Sequence, residues 1–213
     1  MTPAEQSRRA AEICALAPVV PVLVVRDLAH AAPLAHALVA GGLPALEVTL
    51  RTPCALDAIW AMAAVPGGVV GAGTLLTPED VAAAKAAGAQ FGVAPGATER
   101  ILRACEEIGL PLLPGAATAS EVMALLERGY TVQKFFPAES IGGAPAVKAL
   151  GGPLPQVRFC PTGGISLRSA PDYLKLANVM CVGGSWVAPD TLVAAGDWAG
   201  VTRLAAEASA LTR

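Results

Sequence analysis

Histidine is scarce in this chain of 213 residues: there are two, His30 and His36. Both fall on one predicted helix and are six positions apart, so they point in different directions. Neither a metal site nor a Ser-His triad is built on them. Cysteine offers no substitute. Cys14, Cys54, Cys105, Cys160 and Cys181 are scattered, odd in number and never in a C-x-x-C pair. That excludes a disulfide framework and a zinc site, and it fits a reducing, cytoplasmic setting. A basic surplus is missing too. The net charge of -2 leaves nothing to neutralise a run of phosphates, which excludes a nucleic-acid partner and makes any anion site local. Uninterrupted apolar runs of the ~20 residues that span a membrane are also absent. Arg8-Arg9 ahead of an apolar stretch, with Ala15-Leu16-Ala17 after it, mimics a secretory leader. Glu12 inside that stretch argues for an amphipathic helix instead, with Ile13 and Leu16 inward and Glu5, Arg8, Arg9 and Glu12 around them.

What is present is apolar and strongly punctuated. Hydrophobic residues make up 54% and charged residues 15%, a balance that folds rather than staying disordered. One domain over residues 1–213 is expected. Short β-rich runs recur at Val19–Val25, Ala45–Leu50, Val69–Ala72, Phe91–Ala94, Leu110–Pro114, Thr131–Phe136, Val157–Pro161 and Val179–Gly183. Their starts lie roughly 20–26 residues apart, room for one helix and two loops each time. Helix signals fill the gaps. Thr77-Pro-Glu-Asp80 is an N-cap with a first-turn proline and acids, and Gly88 closes that helix. Thr118-Ala-Ser-Glu121 reads as a capping box, with Gly129 as its stop. Thr52-Pro53 is expected to start a helix and Gly109 to end one. Alternating β and α units predict a parallel sheet covered by helices. Eight of them predict a (β/α)8 barrel of the TIM type with a short N-terminal helix. A doubly wound open sheet is the structural alternative.

Barrels of this type place their chemistry at the C-terminal strand ends. Lysine is rare, with four in the chain. Lys85, Lys148 and Lys175 fall in predicted helices, where they read as solvated surface. Lys134 falls in a strand, and Val132, Lys134 and Phe136 share its face. A strand lysine could snorkel outward or pair with a buried acid. It could also be a nucleophile. A free lysine amine is neutral about once in a few thousand at pH 7, and apolar burial or a neighbouring cation favours the neutral form that attacks carbonyls. Glu47 is the second unusual residue. By alternation Glu47, Thr49 and Arg51 face one way, toward the mouth. A lone Glu–Arg pair is often structural. Beside a strand lysine, Glu47 suits a proton shuttle, and Arg51 offers a fork for a carboxylate. Paired glycines follow the last two strands, in Cys160-Pro-Thr-Gly-Gly-Ile-Ser166 and Val182-Gly-Gly-Ser-Trp186. They suit close approach of backbone N–H groups to an anion. Gly71-Ala-Gly-Thr74 and Pro95-Gly96 read as tight turns or as further ligand contacts.

Glu47-Val-Thr-Leu-Arg-Thr52, Gly71-Ala-Gly-Thr74, Lys134-Phe-Phe-Pro-Ala-Glu139, Arg158-Phe-Cys-Pro-Thr-Gly-Gly-Ile-Ser166 and Gly183-Gly-Ser-Trp186 together resemble the 2-keto-3-deoxy-6-phosphogluconate aldolase family. These are class I aldolases of the Entner–Doudoroff pathway. The resemblance runs from Pro18 to near the C-terminus. It implies a Schiff base on Lys134 and proton transfer by Glu47. It implies a substrate carboxylate held by Arg51 and Thr74, with Thr162, Pro95 and Phe136 shaping the pocket. It also implies a phosphate cradled by Gly163, Gly164, Gly184 and Ser185. The products would be pyruvate and glyceraldehyde 3-phosphate, with 4-hydroxy-2-oxoglutarate as a further substrate. Thr162 favours the gluconate over the galactonate epimer. No metal, no cofactor and a cytoplasmic homotrimer are implied. A phosphosugar isomerase or epimerase on the same scaffold is the enzymatic alternative, and a non-catalytic phosphosugar-binding protein is the other. Glu139, Trp186 and Trp198 are left without a role.

Overall fold

The structure, a computed structural model, describes residues 1–212; Arg213, the last residue of the expected domain, lies outside the described residues. Helices and strands alternate as the spacing predicts. The strands are β1 (Val19–Leu23), β2 (Ala45–Thr49), β3 (Val69–Gly73), β4 (Phe91–Val93), β5 (Leu112–Leu113), β6 (Gly115–Ala116), β7 (Val132–Phe135), β8 (Arg158–Pro161) and β9 (Val182–Gly184). The helices that matter below are α1 (Pro3–Cys14), α2 (Ala31–Ala40), α3 (Ala55–Ala63), α4 (Pro78–Ala86), α5 (Glu99–Ile108) and α6 (Ala119–Arg128).

All the strand pairs are parallel. They form a six-stranded sheet, β5-β4-β3-β2-β1-β9, and a three-stranded sheet, β6-β7-β8. The fifth expected strand, Leu110–Pro114, is therefore β5 alone, and β6 follows it as a second segment beyond the expected bounds. Pro114 sits between them and has no N–H to give a ladder, although its carbonyl still accepts from Lys134 N at 2.8 Å. Between β8 and β9 there are two single bridges, Phe159 with Val179 and Thr162 with Gly183. The last strand, β9, pairs with the first, Val19 opposite Val182. In a doubly wound sheet the first strand is central and the order reverses; here each strand adjoins its neighbour in sequence.

Strand alternation sorts the core into two layers. One parity of each strand, with Val19, Leu46, Phe159 and Val182, packs under the helices. The other parity, with Val20, Ala45, Val132, Cys160 and Cys181, packs on Ala10 and Cys14 of α1. Glu47 and Lys134 stand two residues beyond Ala45 and Val132, so they share that second face.

The caps at Thr77, Thr118, Gly109 and Gly129 form as expected. Three local expectations change. Thr52 does not start a helix: its hydroxyl donates to Val25 O at 2.6 Å, and α3 begins at Ala55. His30 closes a 3-10 turn over Leu28–His30, capped by Asp27, while His36 lies in α2. The third is the buried face of α1, which consists of Gln6, Ser7, Ala10 and Cys14, with Ile13 packed half-buried beside it as expected and Leu16 exposed. That face is partly polar because two strand starts need acceptors. Gln6 Oε1 accepts from Leu112 N at 2.8 Å. Ser7 Oγ accepts from Thr131 N at 2.7 Å and Val132 N at 3.1 Å.

Candidate active site

Strand register brings the two unusual residues together. Lys134 sits on β7 between Gly115 of β6 and Cys160 of β8. Glu47 sits on β2 between Val22 of β1 and Gly71 of β3. Their side chains meet across the interior, Lys134 Nζ donating to Glu47 Oε1 at 3.3 Å. Both are almost fully buried, with side chains 5% and 3% exposed. A buried pair of opposite charge repays its desolvation only while both partners remain, and loss of one costs about 3–5 kcal/mol. Sequence placed these residues on strands; their meeting depends on a fold that wraps β2 and β7 toward each other. The Phe136 ring lies 5.2 Å from Lys134 Nζ and gives the amine an aromatic wall.

Two glycines make room for the polar side chains. A Cβ on Gly73 would lie 2.3 Å from Glu47 Oε1, and one on Gly183 would lie 2.2 Å from Thr162 Oγ1. The expected alternative for the Gly71–Thr74 segment, tight turn or ligand contact, thus gains a third answer: space for a catalytic-type carboxylate. Thr74 itself takes φ +63°, a left-handed conformation that is uncommon for a threonine. There its hydroxyl accepts from Arg51 Nε at 3.2 Å. Arg51 is exposed, while Thr49, on the same expected face, is buried and donates to Leu23 O at 2.8 Å.

Arg51, Phe136, Thr162, Gly163, Gly164, Gly184 and Ser185 line one open cleft of about 730 Å³. Of the other expected residues, Thr74 reaches it through Arg51, whereas Pro95, Glu47 and Lys134 do not line it; Lys134 approaches it through Phe136, whose ring does. Pro95 is half-buried, and a Cβ on Gly115 would meet its carbonyl at 2.3 Å, which places it beside β6, the neighbour of Lys134. Gly163 and Gly164 both have positive φ, 107° and 80°. The loop they form is tied to the segment after Lys134, Glu139 N donating to Gly163 O at 3.0 Å. The Glu139 carboxylate accepts from Tyr173 Oη at 2.8 Å, and a Cβ on Gly164 would lie 2.9 Å from the Glu139 Cβ and Cγ, so this side chain buttresses the loop. Burial, then Glu139, pushes the Tyr173 phenol above its usual range. Trp186 lines the cleft, its ring against Gly184, while Trp198 packs edge-on against His30. Arg26 and Asp190 also line the cleft, and sequence reading missed both. An arginine just after a strand carries no distinguishing local pattern. Among the described residues no three His, Cys, Asp or Glu side chains are grouped to hold a metal ion.

A buried amine paired with a carboxylate, one aromatic ring from a cleft lined by arginine, hydroxyls and open backbone, can bind an acid and do carbonyl chemistry. Comparison with known proteins agrees. The family model described as KDPG and KHG aldolase matches residues 10–204. The KHG/KDPG aldolase of Escherichia coli K12 is 54% identical over 200 residues, 93% of this chain and 94% of that protein. A crystal structure of the Zymomonas mobilis ZM4 2-keto-3-deoxy-6-phosphogluconate aldolase with 3-phosphoglycerate superposes with a TM-score of 0.93 at 52% identity, covering 97% of this chain and 98% of that one. A Legionella pneumophila KDPG aldolase structure, with pyruvate captured as a covalent carbinolamine, gives 0.91 at 45% identity over 94% and 98%. This chain belongs to the KDPG and KHG aldolase family.

Proposed function

We propose that this chain is a Schiff-base aldolase that cleaves 2-keto-3-deoxy-6-phosphogluconate to pyruvate and glyceraldehyde 3-phosphate. The observation that carries the reading is the buried Lys134–Glu47 contact of 3.3 Å, with the amine 5.2 Å from the ring of Phe136, a wall of the cleft. Glu47 takes a proton from the ammonium, and the neutral Lys134 amine adds to the C2 carbonyl. Glu47 returns that proton to the carbinolamine hydroxyl, which leaves as water and gives a protonated imine, the electron sink, with Glu47 again a carboxylate. Glu47, through a water molecule, accepts the C4 hydroxyl proton as the C3–C4 bond breaks. The aldehyde leaves and an enamine remains. Glu47 returns a proton to C3, and hydrolysis frees pyruvate and the amine. The capture of pyruvate as a carbinolamine in the Legionella pneumophila relative supports this order.

The rest of the cleft binds and orients. Arg51 and Thr74, already hydrogen-bonded to each other, hold the C1 carboxylate. Thr162 faces the substrate hydroxyls and favours the gluconate epimer. Phe136 and Pro95 are pocket walls. Gly163, Gly164, Gly184 and Ser185 cradle the phosphate. The shorter 4-hydroxy-2-oxoglutarate is a second substrate, as the name of the Escherichia coli relative suggests. The reading includes a closed (β/α)8 barrel in one domain; β9 beside β1 and the two single bridges before β9 support closure of the six- and three-stranded sheets into one ring. Three copies assemble in the cytoplasm. Exposed Leu28 and Trp60, on the contacting Leu28–His30 turn and α3, and exposed Leu76, in the loop before α4, offer apolar surface for that contact.

Borohydride reduction with pyruvate, followed by peptide mapping, tests the imine. One pyruvate adduct on Lys134 is expected. No adduct on folded protein would remove the aldolase reading and leave a phosphosugar isomerase on the same scaffold.

A further inference from the structure

The cradle of Gly163, Gly164, Gly184 and Ser185 offers neutral donors only, backbone N–H groups and one hydroxyl. Its ligand carries ≈ −1.5 to −2 charges near neutral pH. Two cations line the cleft, Arg51 and Arg26. Arg51 is engaged with Thr74 at the end assigned to the carboxylate. Arg26 follows β1 and donates from Nη2 to Asp190 Oδ2 at 3.4 Å. Asp190 is the one acid lining the cleft, and it lies in the segment that follows Gly184 and Ser185. The pair is long, and its side chains are 68% and 72% exposed. Exposed ion pairs of this kind hold weakly, so a stronger anion can replace the carboxylate. Guanidinium binds phosphate oxygens with short, charge-assisted hydrogen bonds.

We propose that Arg26 is the phosphate-positioning cation of this site: it leaves Asp190 for the substrate phosphate and thereby sets the preference for phosphorylated over unphosphorylated keto acids. The inference rests on the aldolase reading and its phosphate cradle. Asp190 holds the guanidinium until substrate binds, and the incoming dianion exchanges one carboxylate for a better acceptor. Arg26 touches no reacting bond, so its effect falls on binding and discrimination rather than on the imine steps.

The test compares kcat/KM for 2-keto-3-deoxy-6-phosphogluconate with kcat/KM for the same sugar acid lacking its phosphate. Wild type, Arg26→Gln, Arg26→Lys and Ser185→Ala are measured at low and high salt. The ratio of the two substrates is expected to fall about tenfold in Arg26→Gln, the loss of one charge-assisted contact. Arg26→Lys should recover most of it. Added salt should erode the ratio in wild type and barely change it in Arg26→Gln. An unchanged ratio in Arg26→Gln, with Ser185→Ala lowering it, overturns the role of Arg26 and leaves the cradle standing. Wild type that cleaves neither substrate overturns both.

Discussion

Glu47 is confined by a missing side chain on its neighbour strand. Gly73 of β3 leaves the space in which the carboxylate reaches Lys134, and an added Cβ would come within 2.3 Å of Oε1. Backbone atoms fix that Cβ, so the carboxylate must move. Gly73→Ala should therefore act on chemistry through position. Turnover is expected to fall by more than tenfold, since small displacements of a catalytic group cost this much or more, while far-UV circular dichroism stays native. Glu47→Gln keeps the shape and removes the base, and steady-state kinetics should show a loss of about 10²–10⁴-fold. A loss under tenfold in Glu47→Gln would take proton transfer away from this residue. Lys134 and Glu47 were legible in the sequence because a charge inside an apolar strand is costly and needs a reason. Gly73 was visible as a glycine, but its use was not. Which atom a Cβ would strike depends on the register of β2 against β3, and register is a property of the pair.

Among the elements, α1 shows most clearly where sequence patterning stops. Capping signals are local chemistry, an oxygen three residues from an N–H, so Thr77 and Thr118 could each be placed from a few letters. A buried face is different, because the partner decides it. Of the two apolar residues expected inward, Ile13 packs against the core and Leu16 is exposed, and α1 also turns Gln6 and Ser7 to the strands, since β5 and β7 begin there with N–H groups that would otherwise lack acceptors. Thr52 is the same lesson in reverse: a good cap by type, its hydroxyl is used instead on the carbonyl of Val25. Removing the Ser7 hydroxyl leaves the N–H groups of Thr131 and Val132 without that acceptor. Each buried unsatisfied donor costs ≈ 1–3 kcal/mol. Ser7→Ala is thus expected to lose about 2–4 kcal/mol in urea unfolding, and Ser7→Thr to lose less. A change below about 1 kcal/mol would mean that α1 shifts or that water supplies the acceptor.

At the scale of the whole molecule, charge is sparse and is concentrated where α5 meets α6. Arg128 of α6 pairs with both carboxylate oxygens of Glu106 at 2.9 Å and also with Glu99, both on α5. Tyr130 adds a hydrogen bond to Glu106 at 3.1 Å. Arg128 and then Arg103 hold the Glu99 carboxyl at about 2. Glu121 is lowered as well, chiefly by the backbone N–H of Ala117. A carboxyl depressed in the folded state binds its proton less readily there than in the unfolded chain. Its contribution is therefore complete above the ordinary value of 4.5 and disappears as pH falls toward 2. Stability should decline across that acid window, and Arg128→Met should flatten the decline because it removes the largest cause of the Glu99 shift. Urea midpoints measured between about pH 5 and pH 2 check this; equal slopes in variant and wild type would place the acid sensitivity elsewhere. The alkaline limb has the opposite sign. Burial pushes the Cys105 thiol from 9.0 up to about 12, so the folded state keeps that proton longer, and stability present below 9.0 is lost as pH rises toward 12. Cys105→Ala should remove that loss while opening a small cavity under α5, lowering the neutral-pH midpoint and leveling the curve above it.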